Sequence, residues 1–117
     1  MACFFSAAHT ERTQMTVQTP PITPCASLDE VRHHIDRIDR QLVALIAERG
    51  GYVAQAAGFK RSADDVAAPQ RVAQVLDKVR ALAQQQGASP EVVTAVWQAM
   101  IEAFIREEHA QWQAQAK

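Results

Sequence analysis

Apolar side chains between residues 27 and 60 recur at alternating steps of three and four. The series is Leu28, Val31, Ile35, Ile38, Leu42 and Leu45. This spacing predicts one long amphipathic helix, because residues three and four apart share a helix face. The next position in the series is Arg49, after which the pattern continues with Tyr52, Ala56 and Phe59. Because a lone charge is costly to bury among apolar groups, Arg49 requires a carboxylate of the protein or an anionic ligand.

The length and composition favour one helical domain. The chain has 117 residues, of which 48% are hydrophobic and only 6% aromatic. A formal net charge of −1 disfavours a nucleic-acid-coating protein, and no apolar run is long enough to predict a membrane span. The opening residues do not match a secretory signal, and Cys3 and Cys25 fit no metal or redox spacing. We therefore expect a cytoplasmic protein with reduced cysteines and no metal.

Capping signals give the start of the long helix. Residues 1–26 are polar and rich in Thr and Pro, which predicts an irregular N-terminal arm. Ser27 is followed three residues later by Glu30, the spacing of a capping box. We expect the first helix to run from Leu28 to about Phe59.

Proline and glycine mark the two shorter helices. Pro69 suits the first position of a second helix, and Gly87 suits its C-terminal end. Ser89 and Pro90 then provide the N-cap and first residue of a third helix. The sequence thus predicts an all-α domain over residues 27–117, with one long and two shorter helices.

The long helix also predicts self-association. It would be about 45 Å long, too long for two shorter helices to cover its apolar face. Gly50 and Gly51 weaken its middle but allow another helix or a ligand to approach closely. A second copy of the chain would cover the remaining apolar surface, and we therefore expect a homodimer.

Charged residues interrupt the apolar faces of the first and third helices. Arg49 and Lys60 are eleven residues apart, so they lie within about 20° on one helix face and about 16 Å apart along the axis. In the third helix, Trp97, Ile101 and Phe104 are followed in step by Glu108, where a core residue is due. At these positions, charged side chains occupy places where apolar core residues are expected.

Two more arginines extend this group. Arg71 is near the start of the second helix, next to Val72. Arg32 precedes Arg49 by seventeen residues, about 25 Å along a helix, so the two cannot hold the same small ligand in one chain. In an antiparallel dimer, Arg32 could reach the site of the partner subunit.

Two interpretations of these charges are open at this point. Arg49 and Glu108 could form a buried ion pair, with Lys60 extending to solvent and Arg71 on the surface. Alternatively, the cations could surround a small anionic ligand. Four cations against one acid are more than a structural pair needs, which favours a ligand.

Several segments of the sequence strongly resemble the all-helical chorismate mutase family. They are Leu28–Arg32, Ile35–Asp39 and Leu42–Arg49. The segments that most resemble its isochorismate-pyruvate lyase branch are Tyr52–Val53, Phe59–Lys60, Ala68–Val72 and Phe104–Glu108. The resemblance covers roughly residues 27 to 113 and implies an intertwined dimer of three-helix chains that needs no cofactor.

The resemblance also implies roles for the charged residues. Arg49, Lys60, Arg71 and Glu108 would line the site of one chain, and Arg32 would come from the partner subunit. The two arginines Arg32 and Arg49 would bind carboxylates of a small dicarboxylate substrate through their planar forks. Arg71 would contact a carboxylate or a hydroxyl. Lys60 would donate to the ether oxygen that gains charge in a pericyclic reaction, and Glu108 would face the same oxygen, donating only when protonated.

Two departures from the family pattern bear on the substrate. Family mutases often carry glutamine where this chain has Glu108, and a glutamate expected to bind the ring hydroxyl of chorismate where it has Val72. We expect rearrangement of chorismate to prephenate, the family's common activity, which serves aromatic amino acid biosynthesis. Val72 is compatible with the alternative, a lyase that converts isochorismate to salicylate and pyruvate. A third interpretation is a non-enzymatic helical interaction module.

Overall fold

Three α-helices form the part of the chain that the computed structural model describes, residues 18–60 and 68–116. Helix α1 is Leu28–Ala57, α2 is Pro69–Gln86 and α3 is Pro90–Ala116. Within these ranges there is no strand, and none of the three helices is long and apolar enough to cross a membrane. The predicted all-α class and three-helix arrangement are confirmed. Residues 18–26 carry no helix, and residues 1–17 of the predicted arm lie outside the described residues.

The start of α1 follows from its capping residues. The Ser27 hydroxyl accepts a hydrogen bond from the Glu30 backbone N–H at 3.2 Å. The Glu30 carboxylate in turn accepts from the backbone N–H of Ala26 at 2.9 Å. Two backbone donors that the helix cannot satisfy are thereby paired, as the capping box predicts.

The end of α1 differs from the prediction. The helix ends at Ala57 rather than Phe59. Gly58, Phe59 and Lys60 then donate their backbone N–H groups to carbonyls three residues earlier, as in a tight 3₁₀ turn. This tighter turn changes the angular spacing, and Phe59 is 85% exposed instead of continuing the apolar face.

The ends of α2 and α3 agree with the prediction. Pro69 is the first residue of α2, and Gly87 ends it with a φ of 74°, the left-handed conformation that glycine adopts without steric cost. The side-chain oxygen of Ser89 accepts from the Val92 backbone N–H at 3.3 Å and caps α3. The residue before Pro69, Ala68, also has a left-handed φ of 39°.

The interior of a single chain is small. Helix α2 packs along α3, while α1 contacts α3 over a shorter stretch. The buried residues among those described are Val79 and Ala83 of α2 and Ile101 and Glu108 of α3. Helix α1 has no buried residue, and the six apolar residues Leu28 to Leu45 of its series are 40–61% exposed. A single chain therefore leaves the long apolar face open, as its length predicts.

Gly50 lets a side chain of α3 approach α1 closely. A Cβ atom added to Gly50 would lie 3.1 Å from Cε1 and 3.3 Å from Cζ of Phe104. Such contacts are tighter than a side chain normally makes, so the absence of a side chain lets the Phe104 ring rest against α1. Gly51 has no neighbouring atom within 4 Å of its Cβ position. The expected close approach thus occurs at Gly50.

Candidate active site

A cavity of about 350 Å³ lies between the C-terminal halves of α1 and α3 and the first half of α2. Its wall includes five of the six residues that the sequence singled out, namely Arg49, Lys60, Arg71, Val72 and Glu108. They come from all three helices and, in the case of Lys60, from the turn that follows α1, so the cavity exists only once the helices have packed. Its volume falls in the range of small-molecule sites.

Lys60 and Glu108 form an ion pair at the edge of this cavity. The Lys60 ammonium donates to the Glu108 carboxylate with Nζ 2.7 Å from Oε2. Glu108 is buried, with 6% of its surface exposed, and the Lys60 side chain is 21% exposed. The buried acid is therefore paired with lysine and not with Arg49. This arrangement contradicts the interpretation in which Arg49 pairs with Glu108 and Lys60 extends to solvent.

Arg49 faces the cavity without a carboxylate partner. Its guanidinium carbon lies 6.0 Å from the centroid of the Phe104 ring, over the ring face. Across residues 18–60 and 68–116, no hydrogen bond or ion pair engages Arg49 or Arg71. The cavity wall thus carries three cations and one carboxylate, a net charge of +2 at neutral pH. Two of these cations are available to an anion.

The cavity wall also has apolar residues. They include the aliphatic side chains of Val72, Val75, Ile101 and Ile105. A wall that combines cations with aliphatic side chains suits a small molecule that has an apolar ring and carboxylate groups. The wall carries its single acid, Glu108, next to Lys60.

Arg32 does not contribute to the cavity of its own chain. It is an exposed residue of α1, seventeen positions before Arg49 and absent from the cavity wall. That separation is about 25 Å along the helix axis. Within one chain, Arg32 and Arg49 are therefore not brought together.

The two aromatic residues of the cavity wall were missed as site residues by sequence reasoning. Tyr52 and Phe104 both line it, although the sequence pattern treats them only as members of apolar series. A signal was present in each case: Tyr52 lies three residues after Arg49, and Phe104 lies four residues before Glu108. Residues three and four apart share a helix face, so neighbours of a site residue at those steps are candidates themselves.

Comparison with known proteins agrees with this arrangement. The family model described as chorismate mutase type II matches residues 31–109, which include all six residues singled out above. The isochorismate pyruvate lyase of Pseudomonas aeruginosa is 33% identical over 88 residues, covering 75% of this chain and 87% of the relative. The chain therefore belongs to the chorismate mutase type II family and is an enzyme of chorismate mutase type, either an isomerase or a lyase.

Proposed function

We propose that the protein is an isochorismate-pyruvate lyase, which converts isochorismate to salicylate and pyruvate. The observation that carries this proposal is Val72, an aliphatic residue of the cavity wall at the position where the resemblance implies a hydroxyl-binding glutamate in mutases. The similar Pseudomonas aeruginosa protein, which is named as such a lyase, also supports the lyase over the mutase. The proposal therefore ranks the lyase first and the mutase second, whereas the sequence alone favours the mutase.

The cations of the cavity would hold the substrate in the reactive shape. Arg49 would bind one carboxylate through its planar fork, and Arg32 of the partner subunit the other. Arg71 would make a further carboxylate or hydroxyl contact. Holding the flexible enolpyruvyl group over the ring in this way removes much of the entropic part of the barrier.

Lys60 would stabilise the charge that develops during bond breaking. Pyruvate carries a methyl group where the substrate carries a methylene, so one hydrogen must move from the ring to that methylene carbon. At the same time the ring C–O bond breaks, the oxygen becomes the keto oxygen of pyruvate, and the ring becomes aromatic. Negative charge grows on the ether oxygen as the bond stretches, and the Lys60 ammonium would donate to that oxygen. Atoms balance without an oxidant, a metal or a covalent intermediate.

The second candidate function is the mutase reaction, in which chorismate rearranges to prephenate. The match to the chorismate mutase type II model favours it. The same residues would act on the same kind of ether oxygen. The two reactions differ in the position of the ring hydroxyl and in whether the enolpyruvyl methylene carbon bonds to a ring carbon or receives a hydrogen. The non-enzymatic helical module has no such support from the family.

A side-by-side assay with the two substrates tests the proposal. With isochorismate, we expect salicylate fluorescence and an equal amount of pyruvate, at a kcat/KM above that for loss of chorismate absorbance. A Lys60→Ala protein corrects for spontaneous decay of isochorismate. A higher kcat/KM with chorismate would assign the mutase reaction instead, and turnover of neither substrate would contradict both.

We further propose that residues 27–117 form one domain that works as an intertwined homodimer. The support is the open apolar face of α1, whose residues stay 40–61% exposed in a single chain. A continuous apolar face of this length on a lone protein exceeds what soluble monomers usually expose. A second copy that covers it would bring Arg32 toward the cavity of its partner.

Mixing two inactive variants tests whether Arg32 crosses between subunits. Arg32→Ala and Arg49→Ala homodimers should each lose most activity, because each lacks one carboxylate ligand in every site. After unfolding and joint refolding at equal amounts, half the dimers are mixed and one of their two sites is intact, so about one quarter of wild-type activity should return. If Arg32 served its own chain, or if the protein were a monomer, no activity would return on mixing.

A further inference from the structure

The position of the Arg49 guanidinium in the cavity is not set by a polar contact with a described residue. No acid or carbonyl of the described residues holds it by a hydrogen bond or ion pair. Arginine has several rotatable bonds, and a free guanidinium would sample many positions before binding a ligand. Arg49 is nevertheless only partly exposed, and its guanidinium carbon lies 6.0 Å from the centre of the Phe104 ring. The contact that positions it is therefore aromatic.

An aromatic contact suits a residue that must later bind a carboxylate. The face of a phenyl ring is electron-rich and attracts a guanidinium lying over it. The N–H groups of the guanidinium point outward in its plane, so stacking on a ring leaves them free. An ion pair with a protein carboxylate would occupy those donors and compete with the substrate. The ring orients Arg49 without neutralising it.

Gly50 makes this arrangement possible. The Phe104 ring lies 3.1–3.3 Å from where a Cβ of residue 50 would be, so any side chain there would push the ring away from α1. Gly50 directly follows Arg49, and Phe104 lies four residues before the buried Glu108. Gly50, the Phe104 ring and Arg49 are thus neighbours, and the ring and the arginine line the same cavity as the Lys60–Glu108 pair.

We infer that Phe104 is a positioning residue for substrate binding, which holds the Arg49 guanidinium over the cavity with its donors free, and that Gly50 is the residue that admits it. This inference rests on the proposed function to the extent that Arg49 binds a substrate carboxylate. It applies equally to isochorismate and chorismate, since both are dicarboxylates. Phe104 itself makes no bond to the reacting atoms and acts through Arg49.

The kinetic test is a double-mutant cycle on the full-length protein. Phe104→Leu keeps an apolar side chain but removes the ring, and it should raise KM about fivefold with kcat changed less than twofold, because it weakens binding in the ground and transition states alike. Phe104→Tyr restores a ring face and should restore most of KM. In an Arg49→Gln background, Phe104→Leu should add no further increase, since the residue it positions is gone. An equal fold increase in both backgrounds would overturn the inference.

Two further variants separate positioning from general packing. Gly50→Ala forces the ring to move by a few tenths of an ångström and should raise KM about twofold, again only when Arg49 is present. Val79→Ala removes apolar volume from a buried residue of α2 outside the cavity wall and should leave KM unchanged. A matching rise in KM with Val79→Ala would assign the Phe104 effect to loss of packing.

A spectroscopic measurement tests the contact without any turnover. The Arg49 guanidinium carbon lies over the Phe104 ring, and the ring current should shift the NMR resonances of the guanidinium protons upfield. The shift should disappear in Phe104→Leu and return in Phe104→Tyr. Its absence from the wild-type protein would overturn the inference. Failure of the substrate assay with an intact shift would instead count against the proposed function alone.

Discussion

Replacing Lys60 with alanine is expected to lower kcat about 100- to 1000-fold, the usual effect of removing one donor aimed at developing charge. The physical reason is that the ether oxygen of the substrate is a weak acceptor before the reaction and a strong one as its bond breaks. A cation directed at that oxygen therefore stabilises the transition state more than the bound substrate. Single-turnover and steady-state rates with isochorismate and chorismate would measure the effect, with KM changing much less than kcat.

The pairing of Lys60 with Glu108 calls for controls in this experiment. Removing the lysine leaves the buried Glu108 carboxylate without its partner at 2.7 Å, which is destabilising. Lys60→Gln keeps an N–H donor for Glu108 while removing the charge, and it should lose rate similarly. Lys78→Ala removes an exposed lysine of α2 that is outside the cavity wall and should keep the wild-type rate. A folded Lys60→Gln protein with kcat within a few fold of wild type would contradict the assigned role.

The second large effect is expected when Glu108 is replaced by glutamine. A carboxylate can only accept hydrogen bonds, whereas the amide group of glutamine can also donate one to the substrate. In the structure the Glu108 carboxylate accepts from Lys60, so it brings negative charge close to the lysine that is aimed at the developing charge. Glu108→Gln should therefore raise kcat at neutral pH by about tenfold or more, the effect of adding a donor and removing an opposing charge.

Steady-state kcat values of the two proteins at neutral pH would check this expectation, using circular dichroism to confirm that both are folded. Glu107→Gln is the matched control, because Glu107 is the neighbouring acid on α3 but is exposed and is not part of the cavity wall described above. It should keep the kcat of the wild type. An unchanged kcat in a folded Glu108→Gln protein would remove Glu108 from the mechanism.

The helix boundaries were largely predictable because their causes are local. The hydroxyl of Ser27 caps the backbone three residues away, Pro69 has a fixed φ, and Gly87 adopts the left-handed conformation. The exception is the end of α1, where the choice between an α-helical and a 3₁₀ turn at Gly58 moved the boundary by two residues. Gly58 is the C-cap residue of α1 and is a stop signal visible in the sequence, but the apolar series that continues to Phe59 favoured a longer helix.

By itself, the sequence determined which positions carry charge inside the apolar faces, because a helix converts spacing along the chain into position around an axis. It thereby identified Arg49, Lys60 and Glu108 as unusual, and the same three residues lie in the segments that resemble the chorismate mutase family. Only the tertiary structure decided their partners: Glu108 binds Lys60, and Arg49 lies over Phe104 beside Gly50. Partner choice depends on where two helices cross and on which atoms come within a few ångströms, and these distances between helices are not encoded in the periodicity of either helix alone.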